Sequence, residues 1–132
     1  MLRCALAAGT MLLCGAGAFA SQSDLATAQS QQWSRGEDIY FASCAECHNA
    51  DLSGGASHSA PALTGNEFRA RWAAHTAYDL LDRTRSTMPQ EQPKSLTDQA
   101  YLDVVAFLLK RNDIALGDGV FTEQTAKGIS LR

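Results

Sequence analysis

Apolar side chains recur at helical spacing in several stretches of this chain. Gly36, Ile39, Tyr40, Ser43 and Cys44 fall at i, i+3, i+4, i+7 and i+8 and predict a helix with a small-and-aromatic face. Tyr101, Val104, Val105, Leu108 and Leu109 repeat that spacing with larger residues, the strongest period in the sequence. Between these two, Leu80 and Leu81 give a core side to a helix that starts at Thr76, with Asp79 three positions on as a capping-box-like partner. Gly65 to His75 predicts a shorter helix with Asn66 as its N-cap and Glu67 in its first turn. Phe68 and Trp72 share one of its faces. Thr97 caps the helix of the strongest period, Leu96 and Tyr101 take its hydrophobic-staple positions, and Lys110 and Arg111 suit the negative end of its dipole. The fold class expected is all-α, with about four to five helices.

The breaks between these helices are polar or glycine-rich. Asn49 to Ala60 is a loop centred on Gly54-Gly55, and Pro93-Lys94-Ser95 is another. Pro89 biases Met88 away from helix, so this methionine is expected on an extended segment. Residues 21–32 are rich in Ser, Gln and Ala without apolar period and read as a disordered lead-in, with order beginning near Trp33 or Ser34. Residues 33–111 form the expected domain. Residues 112–132 contain Gly117, Gly119 and Gly128 and read as a tail packing on the domain. Gly36 costs about 1 kcal/mol against Ala in a helix interior; close approach by the Tyr101–Leu109 helix would account for it.

The first twenty residues do not belong to that pattern. Arg3, the apolar run Leu6 to Leu13 and the small-x-small site Ala18-Phe19-Ala20 have the plan of a secretory signal peptide over residues 1–20. The run is shorter than the roughly 20 residues needed to span a bilayer. Cleavage is the expectation and a retained anchor the alternative; the mature chain then has no membrane span and a periplasmic location. Cleavage also removes Cys4 and Cys14, so no disulfide framework survives, and it leaves Met88 as the mature chain's methionine. At 132 residues and 45% hydrophobic, the chain has room for one domain. Residues 21–60 carry one Arg against five acids, and the whole chain has a net charge of -3, which excludes a nucleic-acid binder by charge.

The remaining cysteines lie in Cys44-Ala45-Glu46-Cys47-His48. Two sulfurs nearly one helical turn apart can face one flat partner, and the adjacent imidazole can reach its centre. C-x-x-C followed by His is the attachment pattern of c-type haem, with thioethers from Cys44 and Cys47 and His48 as an axial iron ligand. A disulfide, half a zinc site and a dithiol redox centre are the rival readings of the cysteine pair. Met88 has a soft thioether that can fill the second axial position; packing in the core is its alternative. The carbonyl of Pro61 can accept the Nδ1–H of His48, or Pro61 is an ordinary loop proline. Trp72 is a core residue whose indole N–H needs a partner when buried, a role that a haem propionate could fill. Arg69 and Arg71 read as surface arginines with the same possible partner. His58 reads as a solvated loop residue and His75 as surface or capping, with iron ligation as the rival reading of His75.

The ordered set resembles a mono-haem class I cytochrome c. The likeness runs from about Trp33 to Arg111 and rests on the Gly36/Tyr40 helix, Cys44–His48, Pro61-x-Leu63, and Met88-Pro89 before a terminal helix. Trp72, Asp79-Leu80, Thr87-Met88-Pro89 and Tyr101-x-Asp103-Val104 make it similar to the cytochromes that accompany quinoprotein alcohol dehydrogenases. The resemblance implies a cytochrome c fold around one covalent haem c, with N- and C-terminal helices crossing through Gly36, Tyr40, Val104 and Phe107. It implies iron held by His48 and Met88, Pro61 oxygen on His48, Leu63 against the haem and Trp72 at a propionate. It also implies a one-electron carrier, not an enzyme, working between redox proteins such as a periplasmic dehydrogenase and a terminal oxidase or another cytochrome. The alternatives are a haem subunit of a larger dehydrogenase or oxidase, and a haem enzyme with a labile sixth ligand. A lysine-rich face of the mitochondrial type is missing, so that branch's docking rules do not transfer.

Overall fold

The structure is a computed structural model that describes residues 21–56 and 60–132. The expected signal segment, with Cys4 and Cys14, and the loop residue His58 lie outside the described residues. Six helices follow in order: α1 (Gln22–Ser43), α2 (Ala45–His48), α3 (Gly65–Trp72), α4 (Ala77–Thr87), α5 (Asp98–Arg111) and α6 (Glu123–Ala126). No strand occurs among the described residues, only an isolated bridge between Thr76 and Ser130. The fold is all-α as expected. Its count exceeds the expectation because α2 and α6 are single turns of four residues, too short to show a period.

α5 is the centre of the molecule. Seven consecutive residues, Asp103 to Leu109, are buried, so the helix has core neighbours all round. α1 and α4 both pack on it. The crossing with α1 is made at Gly36: a Cβ built there meets the carbonyl carbon of Asp103 at 2.6 Å and Phe107 Cβ at 2.8 Å. The missing side chain lets the two backbones touch, which offsets the helix-propensity cost of glycine. Tyr40, one turn on, packs its ring 5.5 Å from that of Phe107. The N- and C-terminal helices of the domain thus cross where the sequence places them. Beside the crossing the buried carboxylate of Asp103 accepts from Arg35 Nε at 2.7 Å and Gln99 Nε2 at 2.7 Å. That pairing holds the Arg35 guanidinium above its ordinary pKa.

Helix starts follow local chemistry. Thr76 and Asp79 form a full capping box at the head of α4, and the Thr76 N–H and hydroxyl hold the Asp79 carboxyl below its usual range. Thr97 caps α5 through Ala100 N–H. α3 differs from expectation: Thr64 is its N-cap in place of Asn66, and the Thr64 hydroxyl donates to Arg111 O at 3.3 Å.

The larger correction concerns residues 21–32, expected as a disordered lead-in. They are the first three turns of α1, opened by a capping box between Ser21 and Asp24. Their order comes from the far end of the chain. Gln32 is buried; its Nε2 donates to Phe121 O at 2.9 Å and its Oε1 accepts from Phe121 N at 2.7 Å. Gln29 Nε2 donates to Gly117 O at 2.9 Å. A stretch without apolar period is helical here because its amides bond to the tail, a long-range partner that periodicity does not reveal. The tail in turn buries Leu116, Phe121, Ala126 and Leu131 in the core.

Candidate functional site

α1 ends at Cys44, whose N–H still bonds Tyr40 O at 2.9 Å. The chain then tightens into α2, with Cys47 N–H on Cys44 O at 3.2 Å and His48 N–H on the same oxygen at 3.0 Å. One turn therefore carries both sulfurs and delivers the imidazole directly after them. The two cysteines form no disulfide with each other, and Cys44 is half-buried and Cys47 exposed. Burial, with Cys47 beside it, pushes the Cys44 thiol up to about 11. Among the described residues, no group of three or more His, Cys, Asp or Glu is placed to hold a metal ion.

His48 is buried, and its Nδ1 lies 2.8 Å from Pro61 O. Pro61 has a carbonyl and no N–H, so the imidazole must be the donor, which leaves Nε2 with a free lone pair. The backbone around the ring is tied down from both sides. The Tyr40 hydroxyl donates to Asn49 O at 2.6 Å and sits 3.3 Å from His48 O. Burial, with Cys44 and Asp51 as minor causes, pushes the Tyr40 phenol up to about 12, so it keeps its proton. Gly54 N–H bonds His48 O at 3.1 Å. Gly54 has φ +86°, and a Cβ there would meet Ala60 O and Ala62 N at 2.7 Å each. Glycine is what lets the loop fold back and bring Pro61 to the ring.

These residues form one wall of a cleft of about 1490 Å³, larger than the roughly 300–1,000 Å³ of ordinary small-molecule pockets. Cys44, Cys47, His48, Pro61, Leu63, Trp72 and Met88 all line it. Leu80, Leu96, Val104 and Leu108 add apolar surface. Met88 is on another wall, directly after α4, in extended backbone with φ −122° and ψ 150°. Leu63 is held by its N–H on Leu52 O at 2.9 Å and by Asn112 Nδ2 donating to its carbonyl at 2.9 Å. Trp72 is half-buried with its ring 5.4 Å from that of His75. His75 and Arg71 also line the cleft, Arg69 does not, and His75 Nδ1 lies 3.7 Å from Asp79.

A flat macrocycle with two vinyl groups fits this donor set. The walls offer two thiols one turn apart, an imidazole nitrogen with its other nitrogen spent, a thioether and apolar side chains, and no side chain of the described residues fills the space between. Cys44, Cys47 and His48 would hold such a group on one side, and Met88 would approach its metal from another wall.

Sequence reasoning missed what positions Met88. Tyr101, expected as a staple and core-face residue of its helix, donates its hydroxyl to Met88 O at 2.8 Å. Buried tyrosines need a hydroxyl partner, but the partner's identity depends on the tertiary structure. Tyr101→Phe is expected to cost about 1 kcal/mol of stability, and to loosen the Met88 segment. Chemical denaturation compared with wild type checks the first; amide exchange in residues 88–92 checks the second.

The family model described as cytochrome C oxidase, cbb3-type, subunit III matches residues 31–108. No curated protein and no solved structure matches the chain. Nothing in these findings points to quinoprotein alcohol dehydrogenases.

Proposed function

The chain belongs to this family of c-type cytochromes, whose shared activity is haem-based electron transfer, and from that premise we propose a periplasmic one-electron carrier with haem c bound through Cys44 and Cys47 and ligated by His48 and Met88. The observation that carries the proposal is the single turn Cys44–His48, with Nδ1 of the buried imidazole committed to Pro61 O and Met88 lining the same cleft. When bound, a haem c supplies a one-electron Fe(III)/Fe(II) couple, whose potential a methionine ligand raises.

The chain's own residues have definable parts. The Pro61 carbonyl fixes the ring plane and tautomer of His48 and raises its basicity. The α4–Met88–Tyr101 connection presents the thioether without a helical backbone at Met88. Leu63, Leu80, Val104 and Leu108 exclude water and lower the local dielectric, a second means of tuning a potential. Trp72 and Arg71 stand at the cleft, where an indole N–H and a guanidinium can meet carboxylates. His48 and Met88 would together hold the iron and leave no open coordination position for a substrate, which supports a carrier over a haem enzyme.

The partners are other redox proteins. The family description favours a terminal oxidase as the acceptor, or as the larger complex of which this chain is a subunit. Export is supported by Arg3, the apolar run and Ala18-Phe19-Ala20. No described helix is long and apolar enough to cross a membrane.

Met88→Ala is the direct test. The variant is expected to keep its covalent haem, lose the iron–thioether charge-transfer band, bind imidazole or cyanide readily, and fall in potential by an appreciable part of the roughly 0.8 V that axial ligands span. Potentiometry and ligand titration read this out. An unchanged potential would assign the sixth ligand to another residue, with His75 the first to examine.

A further inference from the structure

The segment that follows α5 holds both walls of the cleft and lines neither. On the α1 side, Gln32 exchanges two hydrogen bonds with Phe121, at 2.9 and 2.7 Å, and Gln29 bonds Gly117 O at 2.9 Å. On the α4 side the segment meets both ends of the helix. Ala77 N–H bonds Ile129 O at 2.8 Å and Leu131 N–H bonds His75 O at 3.1 Å. Arg85, in the last turn of α4, reaches Glu123 Oε2 at 3.4 Å. Phe121 and Leu131 are each 1% exposed, so the segment is anchored in the core between these contacts. Gln29, Gln32, Arg85, Glu123 and the rest of the tail are absent from the cleft lining, and the tail lies beyond the span that the family shares.

α1 leads into Cys44–His48, and α4 ends on Met88. The two helices are joined through α5 and through this segment. We propose that residues 117–131 are a brace that sets the separation of the two walls, and that Gln32, Arg85 and Glu123 are positioning residues that keep Met88 on the iron. The inference rests on the ligation proposed above. Without the brace, the C-terminal turn of α4 is held by α5 alone, and the Met88 segment hinges on the Tyr101 hydroxyl. A larger open fraction then lets an external ligand compete. Its apparent affinity rises in proportion to that fraction.

Imidazole binding to the ferric holoprotein reads the open fraction, and the iron–thioether band reads the closed one. The double variant Gln32→Met with Glu123→Gln is expected to bind imidazole about tenfold more tightly than wild type, with a weakened band. Glu123→Gln alone removes one exposed contact and folds regardless; about a twofold tightening is expected of it. Val105→Ala is the control, a buried α5 position outside the cleft lining and outside the hydrogen bonds and ion pair of the brace, where a smaller side chain lowers the melting temperature. It should leave imidazole affinity unchanged. The brace is overturned if wild-type affinity persists in both tail variants while the wild-type band is present, and equally if Val105→Ala tightens imidazole as much as they do. If wild type itself lacks the band and binds imidazole as Met88→Ala does, the ligation reading fails and the brace with it.

Discussion

Gly36→Val is expected to leave little folded protein at 37 °C. A Cβ at this position would stand 2.6 Å from the carbonyl carbon of Asp103 and 2.8 Å from Phe107 Cβ. Neither neighbour is the free end of a flexible side chain, so nothing can swing aside and α1 must lift off α5. Lifting it pulls Arg35 away from the buried carboxylate of Asp103, which keeps Gln99 as its remaining donor, and the lost partner costs on the order of 1–3 kcal/mol. Overpacking itself adds about 1–3 kcal/mol or more. The gain in helix propensity is under about 1 kcal/mol. Against a total stability on the order of 5–15 kcal/mol, the balance is severe. Thermal unfolding followed by circular dichroism should show a fall of more than about 15 °C, at several degrees per kcal/mol for a domain of this size. A melting temperature within a few degrees of wild type would mean that α1 and α5 do not cross backbone to backbone at Gly36.

The double variant Cys44→Ala, Cys47→Ala is expected to lose its haem on extraction under denaturing conditions and to lose much of its tertiary structure with it. The reason lies in the cleft. Its volume of about 1490 Å³ is bordered by Leu63, Leu80, Leu96, Val104 and Leu108, and no side chain of the described residues fills it. With the tethers gone, the cofactor is retained by His48, Met88 and contact alone, and its stabilising effect falls with occupancy. Each single variant keeps one thioether and should retain most of its colour. Absorbance before and after acid extraction, with near-ultraviolet circular dichroism for packing, reads both effects. Haem that stays with the double variant through denaturation would refute thioether attachment.

Different parts of this protein are visible at different levels. The C-x-x-C-H turn is local: three residues' separation on a helical backbone dictates that both sulfurs and the imidazole emerge together, whatever surrounds them. The helix with apolar positions from Tyr101 to Leu109 is legible for the same reason, since a period of 3.6 residues is a property of neighbours along the chain. Gly36 was legible as an anomaly, a residue too costly for a helix unless something presses on it. The hydroxyl partners of Tyr40 and Tyr101 were not. Each is a carbonyl supplied by a loop whose path depends on other loops. Residues 21–32 carry no local signal of their helix, because their polar amides find partners in the tail, nearly the whole domain away in sequence.

The chain by itself determined the chemistry that can be done: two thiols and an imidazole on one turn, a single thioether within residues 21–132, an amphipathic helix for each side of a core. Those are matters of covalent spacing and helical period, which no distant residue alters. Only the tertiary structure decided that Pro61 O takes the second nitrogen of His48, that Met88 faces the same cleft, and that the tail binds α1 to α4. These depend on where separate segments meet in space, and that is settled by burial and hydrogen-bond satisfaction summed over the whole molecule.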